Sequence, residues 1–105
     1  MTLTPARRIT AHPGVLLREQ LEGMGLSVRA VARAMGLPAT RLHEIVHERR
    51  AVNAETAIAL AEFFEQTPEF WLDAQKVYEL SKELVERGEA IRMQVRCRAK
   101  DMATM

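Results

Sequence analysis

The sequence predicts an all-α fold of five helices. Apolar residues recur at spacings of three and four residues along most of the chain, and no segment shows the apolar-polar alternation and β-branched enrichment of a strand. The length of 105 residues and the 48% hydrophobic content suit one domain with a modest core. We expect that domain at residues 12–87. A flexible arm is expected at residues 1–11, and a tail at residues 88–105 that is either helical or frayed.

The first two helices are predicted by one apolar face each and by the residues at their ends. In the first helix the apolar residues recur at i, i+4 and i+7 and stop at Gly25. In the second they recur at i, i+3, i+4 and i+7 between Ser27, a good N-cap, and Gly36. The residues predicted to be buried are Leu17, Leu21, Met24, Val28, Val31, Ala32 and Met35.

The last three helices are predicted in the same way. Pro38 suits the first turn of the third helix, Asn53 suits the N-cap of the fourth, and Thr67 followed by Pro68 opens the fifth. The residues predicted to be buried are Leu42, Ile45 and Val46 in the third helix, Ala57, Ile58, Ala61 and Phe64 in the fourth, and Phe70, Ala74, Val77 and Leu84 in the fifth.

Charge is distributed unevenly along the chain. Residues 1–53 carry eight Arg against four Glu, residues 54–86 carry two Lys against eight acids, and residues 87–105 carry five bases against two acids. A basic first half is typical of a protein that binds a polyanion, whereas an acidic middle indicates a solvated face or a basic protein partner.

Several classes of protein are disfavoured by composition. No apolar run is long enough to span a bilayer, and the first residues lack the apolar stretch of a secretion signal, so we expect a cytoplasmic protein without membrane attachment. Cys97 is the one cysteine, which rules out an internal disulfide and a cysteine-rich metal site. We expect no cofactor.

The segment His-Glu-Ile-Val-His matches the H-E-x-x-H pattern of zinc peptidases. His43 and His47 lie four residues apart on one helical face, where both imidazoles could bind Zn²⁺ beside Glu44 as the general base. The pattern therefore raises the hypothesis of a small metallopeptidase.

A third zinc ligand is the weak point of that hypothesis. The extended zinc-peptidase pattern requires Gly where Arg50 stands and His where Asn53 stands. Glu65 and Glu69 are candidates by separation alone, and the chain offers no predicted strand to bind a peptide substrate. We therefore expect no metal site and no enzymatic activity, and a zinc metallopeptidase remains a remote alternative.

The second and third helices together predict a helix-turn-helix. Ala32 is small where the two helices would cross, and Gly36 provides the turn between them. Such a turn lets the third helix project its first half into a DNA major groove. A generic helical bundle would show the same apolar faces and is the structural alternative.

The chain resembles the HigA/VapI group of antitoxins, within the Xre-type helix-turn-helix family, over about residues 12–80. The most specific segments are His12-Pro13-Gly14, Leu26-Ser27, HEIVHERR at residues 43–50, and TPEFWL at residues 67–72. In that group the segment equivalent to HEIVH belongs to the recognition helix, so the resemblance implies that the match to the zinc pattern is coincidental.

The resemblance implies a homodimeric antitoxin that binds a palindromic operator in double-stranded DNA and represses its own operon. It also implies a protein partner, a RelE-like, HigB-type toxin that cleaves RNA. The alternative is a stand-alone Xre-type transcriptional regulator without a toxin. A toxin-sized reading frame immediately upstream would favour the antitoxin.

Specific residues are candidates for these contacts. The residues expected to contact base edges are Ala39, Thr40, Arg41 and Glu44. Those expected to contact phosphates are Ser27, Arg29, His43, His47, Arg49 and Arg50. Trp71 and Tyr78 lie seven residues apart on one face of the fifth helix and are candidates for a dimer interface, with core packing as the alternative for Trp71.

Two positions depart from the pattern of the group. Val28 stands where Gln commonly contacts a phosphate, and Glu48 stands where Gly usually closes the recognition helix in a left-handed conformation. The sequence leaves open how the recognition helix ends and what Val28 does.

Overall fold

The structure, a computed structural model, describes residues 8–103, and these residues form five helices and no strand, as predicted. The helices are α1 (Pro13–Met24), α2 (Val28–Met35), α3 (Ala39–Val46), α4 (Ala54–Phe64) and α5 (Pro68–Ala103). Within this range, no helix combines the length and the apolar content that crossing a bilayer requires.

The predicted start and stop signals act locally at the helix ends. The side-chain oxygens of Ser27, Asn53 and Thr67 each accept a hydrogen bond from the backbone N–H three residues later, at 3.1, 2.9 and 3.2 Å. Gly25 and Gly36 follow α1 and α2 with φ of 67° and 71°, in the left-handed region that glycine adopts without steric cost. These five residues therefore set the bounds of the helix-turn-helix and its neighbours.

One apolar core lies between the helices. Its members are Leu17, Leu21, Val31, Ala32, Leu42, Ile45, Val46, Val52, Ala57, Leu60, Ala61 and Trp71. Trp71 is completely buried, and its Nε1–H donates to Gln66 Oε1 at 3.0 Å. Because its whole surface is used inside the chain, the prediction that Trp71 lines a dimer interface is wrong, and the alternative of core packing is correct.

Four apolar residues assigned to buried faces are exposed instead. They are Met24, Ile58, Phe70 and Val77. The buried face of α5 runs through Trp71, Gln75 and Ser81, one position away from the predicted stripe at its start. Two polar side chains occupy that face because each has a partner: Gln75 Oε1 accepts from the Val52 N–H at 2.9 Å, and Ser81 accepts from the N–H of Thr10 at 3.0 Å.

Helix α5 continues without interruption through the predicted tail. The expected boundary between residues 87 and 88 falls inside this helix, which extends to Ala103, the last described residue. Of the predicted arm, residues 1–7 lie outside the described residues. Thr10 lies in the described part of the arm and is held against α5 by two hydrogen bonds to Ser81. Its N–H donates to Ser81 Oγ, and its Oγ1 shares a second hydrogen bond with the same oxygen.

The N-terminus of α1 is built around His12 and Gly14. The imidazole Nδ1 of His12 accepts a hydrogen bond from the Gly14 N–H at 2.8 Å and so caps the helix. A Cβ added at Gly14 would overlap the carbonyl oxygen of Ile45 in α3. The first turn of α1 can therefore touch the backbone of α3 only because residue 14 has no side chain.

His12 is only 4% exposed, and burial lowers the pKa of its imidazole below the ordinary value of 6.5. The carboxylates of Glu48 and Glu79 and a hydrogen bond to the backbone of Arg50 act in the opposite direction and are outweighed. The ring also packs edge-on against Tyr78, with the centroids 4.9 Å apart. Its neutral form thus joins α1, the segment after α3, and α5.

Gly14→Ala should destabilise the fold by about 1–3 kcal/mol, because the new methyl group forces α1 away from α3. Gly23→Ala is the matched control: a Cβ at Gly23 meets no atom within 4 Å, so this change should stabilise α1 by about 0.5–1 kcal/mol. Urea denaturation of both variants measures the two effects. Equal effects would contradict the close contact at Gly14.

The buried imidazole also predicts a pH dependence of stability. Well above pH 6.5, His12 is neutral in both the folded and the unfolded chain. As the pH falls below 6.5, the unfolded chain binds a proton at this imidazole more readily than the folded chain does. The free energy of unfolding therefore decreases as the pH falls through the lowered pKa of the folded chain. His12→Asn keeps a capping acceptor that does not titrate, so its unfolding free energy should fall less between about pH 7.5 and about pH 5.5.

Chemical denaturation across that pH range checks the prediction. His43→Asn, which removes an exposed imidazole, serves as the control and should retain the pH dependence of the unmodified protein more fully than His12→Asn. An unchanged pH dependence in His12→Asn would show that the capping imidazole is not responsible.

Candidate nucleic-acid interface

Helices α2 and α3 pack as a helix-turn-helix. Val31 and Ala32 of α2 are each 1% exposed, and Leu42 of α3 is completely buried among the same core residues. The left-handed Gly36 turns the chain between the two helices, and its N–H and that of Leu37 close α2 on the Arg33 and Ala32 carbonyls at 3.2 and 2.9 Å. The small Ala32 and the glycine turn were both predicted, and both occupy the expected places.

The surface of α3 opposite the core is polar. Thr40, His43 and His47 are exposed, and Glu44 is partly exposed between them. Ala39 and Arg41, the other two predicted base-contact residues, are partly exposed. The core side of α3 is formed by Leu42, Ile45 and Val46. This arrangement leaves one solvent-facing side of a short, well-anchored helix available to a partner.

The residues predicted to contact phosphates are all at the surface. Ser27 and Arg29 lie at the start of α2, and Arg49 and Arg50 lie after α3. The Ser27 oxygen already accepts the Ala30 N–H, which leaves its hydroxyl proton to donate. Val28, at the position where the group commonly has Gln, is partly buried and packs against the core.

Helix α3 ends in the left-handed conformation that glycine usually supplies, although the residue is Glu48. Its φ is 62°, its N–H donates to the Ile45 carbonyl at 2.9 Å, and the Arg49 N–H donates to the Glu44 carbonyl at 2.7 Å. These two bonds define a Schellman motif. Glu48 therefore closes the helix as Gly would, at the steric cost of a side chain at positive φ.

Two ion pairs flank α3, and neither was predicted from the sequence. Arg41 Nη1 donates to Glu55 Oε1 at 2.7 Å, and Arg50 Nε donates to Glu44 Oε1 at 2.7 Å. The first pair joins α3 to the first turn of α4, and the second joins α3 to the segment that follows it. The first pair depends on how α3 packs against α4, and the second depends on how the chain turns after α3. The spacing of apolar residues along one helix carries no signal for either.

His43 and His47 are engaged in a structural contact. His47 Nδ1 lies 2.8 Å from the His43 carbonyl oxygen, and the two ring centroids are 6.3 Å apart. Among residues 8–103, no three His, Cys, Asp or Glu side chains form a group that could hold a metal ion. The third ligand that a zinc peptidase needs is not supplied by this part of the chain.

Comparison with known proteins agrees with this geometry. The helix-turn-helix family profile matches residues 17–72, and the chain belongs to that family, of the Xre type. Virulence-associated protein I of Dichelobacter nodosus is 43% identical over 70 residues, which cover 66% of this chain and 65% of that relative, so the chain spans slightly less than two thirds of the relative's length.

Two solved structures are similar over most of this chain. An addiction module antidote protein of the HigA family from Coxiella burnetii is 34% identical, with a TM-score of 0.79 over 82% of this chain and 95% of that one. The Pseudomonas aeruginosa antitoxin HigA with the higBA promoter is 34% identical, with a TM-score of 0.75 over 77% of this chain and 89% of that one. The predicted resemblance to HigA-type antitoxins is confirmed.

Glu48→Gly should stabilise the protein by about 0.5–1 kcal/mol. Glycine avoids the steric cost of a side chain at positive φ, and that cost is larger than the conformational entropy that glycine loses on folding. The ion pair lost with it, Glu48 to Arg18 at 4.0 Å, is exposed and weak. Glu62→Gly inside α4 is the control and should destabilise by a similar amount. Thermal unfolding that showed the same sign for both variants would contradict this account.

Proposed function

We propose that this protein is a sequence-specific DNA-binding antitoxin that represses its own operon. The observation that carries the proposal is the polar, solvent-facing side of α3, projected by the turn at Gly36 and anchored on its other side in the core. The similar antitoxin from Pseudomonas aeruginosa, solved with promoter DNA, supports the same role for this fold.

In the proposed complex, α3 lies in the major groove of double-stranded DNA. Thr40 and Glu44 face the base edges, Arg41 approaches them from the side nearer α4, and Ala39 contacts a thymine methyl group. Arginine can donate two hydrogen bonds to guanine O6 and N7, and a carboxylate can accept from cytosine N4. These contacts would determine the sequence that is bound.

Phosphate contacts surround the helix. Ser27 and Arg29 approach the backbone from the start of α2, and Arg49 and Arg50 approach it from beyond the Schellman motif at Glu48. Of the remaining phosphate candidates, His43 lies on the exposed side of α3 and His47 is exposed directly after the helix. Such contacts fix affinity and register without selecting sequence.

A homodimer is part of the proposal. One helix-turn-helix buries little DNA surface, and a twofold pair of recognition helices one turn apart would demand a palindromic operator. The predicted interface residue Tyr78 is partly exposed on α5, and the same helix also carries the exposed apolar side chains of Val77 and Leu80. Light scattering at micromolar concentration tests the dimer, and a monomer both free and on DNA would refute it.

A RelE-like toxin is the proposed protein partner. Co-expression with the product of the neighbouring gene, followed by co-purification and an RNA-cleavage assay, tests this partner. Binding with loss of cleavage supports the antitoxin. A chain that binds its operator but no neighbouring product would instead be a stand-alone Xre-type regulator, which shares the fold and the DNA site. In either case the site of action would be the cytoplasm.

The DNA-binding part is tested by selection from a pool of randomised duplexes. The unmodified protein should enrich a palindromic sequence and bind it more tightly than a scrambled duplex of the same length, measured by fluorescence anisotropy. Absence of any enriched sequence would refute sequence-specific binding.

Arg49→Ala should weaken binding to the selected and scrambled duplexes by the same factor. It should also reduce the slope of log affinity against log salt by about one unit, because one phosphate contact is lost. Arg87→Ala, which removes an exposed charge from α5, is the control and should leave both slopes nearly unchanged. A loss confined to the selected duplex would assign Arg49 to base recognition instead.

A further inference from the structure

We infer that Glu55 is a specificity-determining residue of the DNA interface, because it holds the guanidinium of Arg41 in position. The inference rests on the proposed function. Arg41 Nη1 donates to Glu55 Oε1 at 2.7 Å, and the exposed fractions of the two side chains are 25% and 68%. The Arg41 side chain thus extends from α3 toward α4 and is partly buried, whereas the Glu55 carboxylate that binds it is mostly exposed to solvent.

The geometry of the pair leaves one edge of the guanidinium free. Glu55 accepts a hydrogen bond from Nη1 only, and no other side chain among the described residues forms a hydrogen bond with Arg41. The Nε and Nη2 groups form a planar fork of parallel donors, and that fork is the shape that binds guanine O6 and N7 in two hydrogen bonds. Glu55 can therefore fix Arg41 without occupying the edge that would contact a base.

An ion pair this exposed contributes little to folding stability, so its effect is expected in binding instead. A free arginine side chain loses rotational freedom when it is ordered against a base, and fixing it beforehand removes much of that cost. Glu55 extends from the first turn of α4, whose N-cap Asn53 bonds the Thr56 backbone, so the carboxylate stands on a well-anchored helix end.

The charge of Glu55 acts in the same direction. A carboxylate beside the DNA repels phosphates, so it opposes any arrangement in which Arg41 swings away to contact the backbone. Phosphate contacts carry no sequence information, whereas contacts to base edges do. Through its charge Glu55 thus lowers affinity for any DNA, and only on the operator does the positioning of Arg41 against a base offset that repulsion.

The experiment compares Glu55→Ala with the unmodified protein on the selected duplex and its scrambled counterpart. The ratio of the two affinities should fall by about threefold to tenfold, the range expected for ordering one long side chain. Binding to the scrambled duplex should stay the same or strengthen. Glu69→Ala removes a carboxylate from the first turn of α5 that pairs with no arginine among residues 8–103, and this matched control should leave the ratio unchanged.

A double-mutant cycle separates positioning from a general charge effect. In the Arg41→Ala background, Glu55→Ala should no longer change the ratio, because the group that it positions is gone. An unchanged ratio in the single Glu55→Ala variant, or an equal change with and without Arg41, would overturn the role of Glu55 alone. If the unmodified protein prefers no duplex, both this inference and the proposed function fail.

Discussion

The contact between the first turn of α1 and the end of α3 is the constraint on which the candidate interface depends. At this point the backbone of Gly14 lies against the Ile45 carbonyl, where any side chain would overlap it. His12, the residue that caps α1, also bonds the backbone of Arg50 beyond α3 and packs against Tyr78 of α5. One short segment thereby fixes the C-terminal end of α3, and the core fixes its inner side, so the outer side has a defined position.

Ion pairs add a second level of order around this framework. Glu55 holds Arg41 on one flank of α3, and Arg50 holds Glu44 beside it. Neither pair is fully buried, so each contributes little to folding stability. They hold donors and acceptors in defined positions beside α3, and organisation of this kind favours selective binding.

Much of the fold was predictable because its signals are local. Ser27, Asn53 and the two left-handed glycines mark helix ends through bonds that span only a few residues. Glu48 was not predictable in the same way, since nothing local distinguishes a Glu that adopts positive φ from one that does not; the Schellman bonds and the packing of α3 impose that conformation on it.

Features that depend on long-range contacts could not be predicted from the sequence. The buried side of α5 includes Gln75 and Ser81, whose burial depends on partners 23 and 71 residues away. For this reason the apolar periodicity predicted the wrong buried face of α5 and placed Phe70 and Val77 in the core. The pairing of Arg41 with Glu55 was hidden for the same reason, although Arg41, Thr40 and Glu44 were identified as interface candidates from their places on α3.

Above all, we propose that the outer side of α3 enters the major groove of a specific DNA sequence. Amide chemical-shift mapping of the protein with its selected duplex tests this most directly. We expect the largest changes on α3, at the start of α2 around Ser27 and in the segment after Glu48. Changes concentrated on α5, with α3 unperturbed, would contradict it.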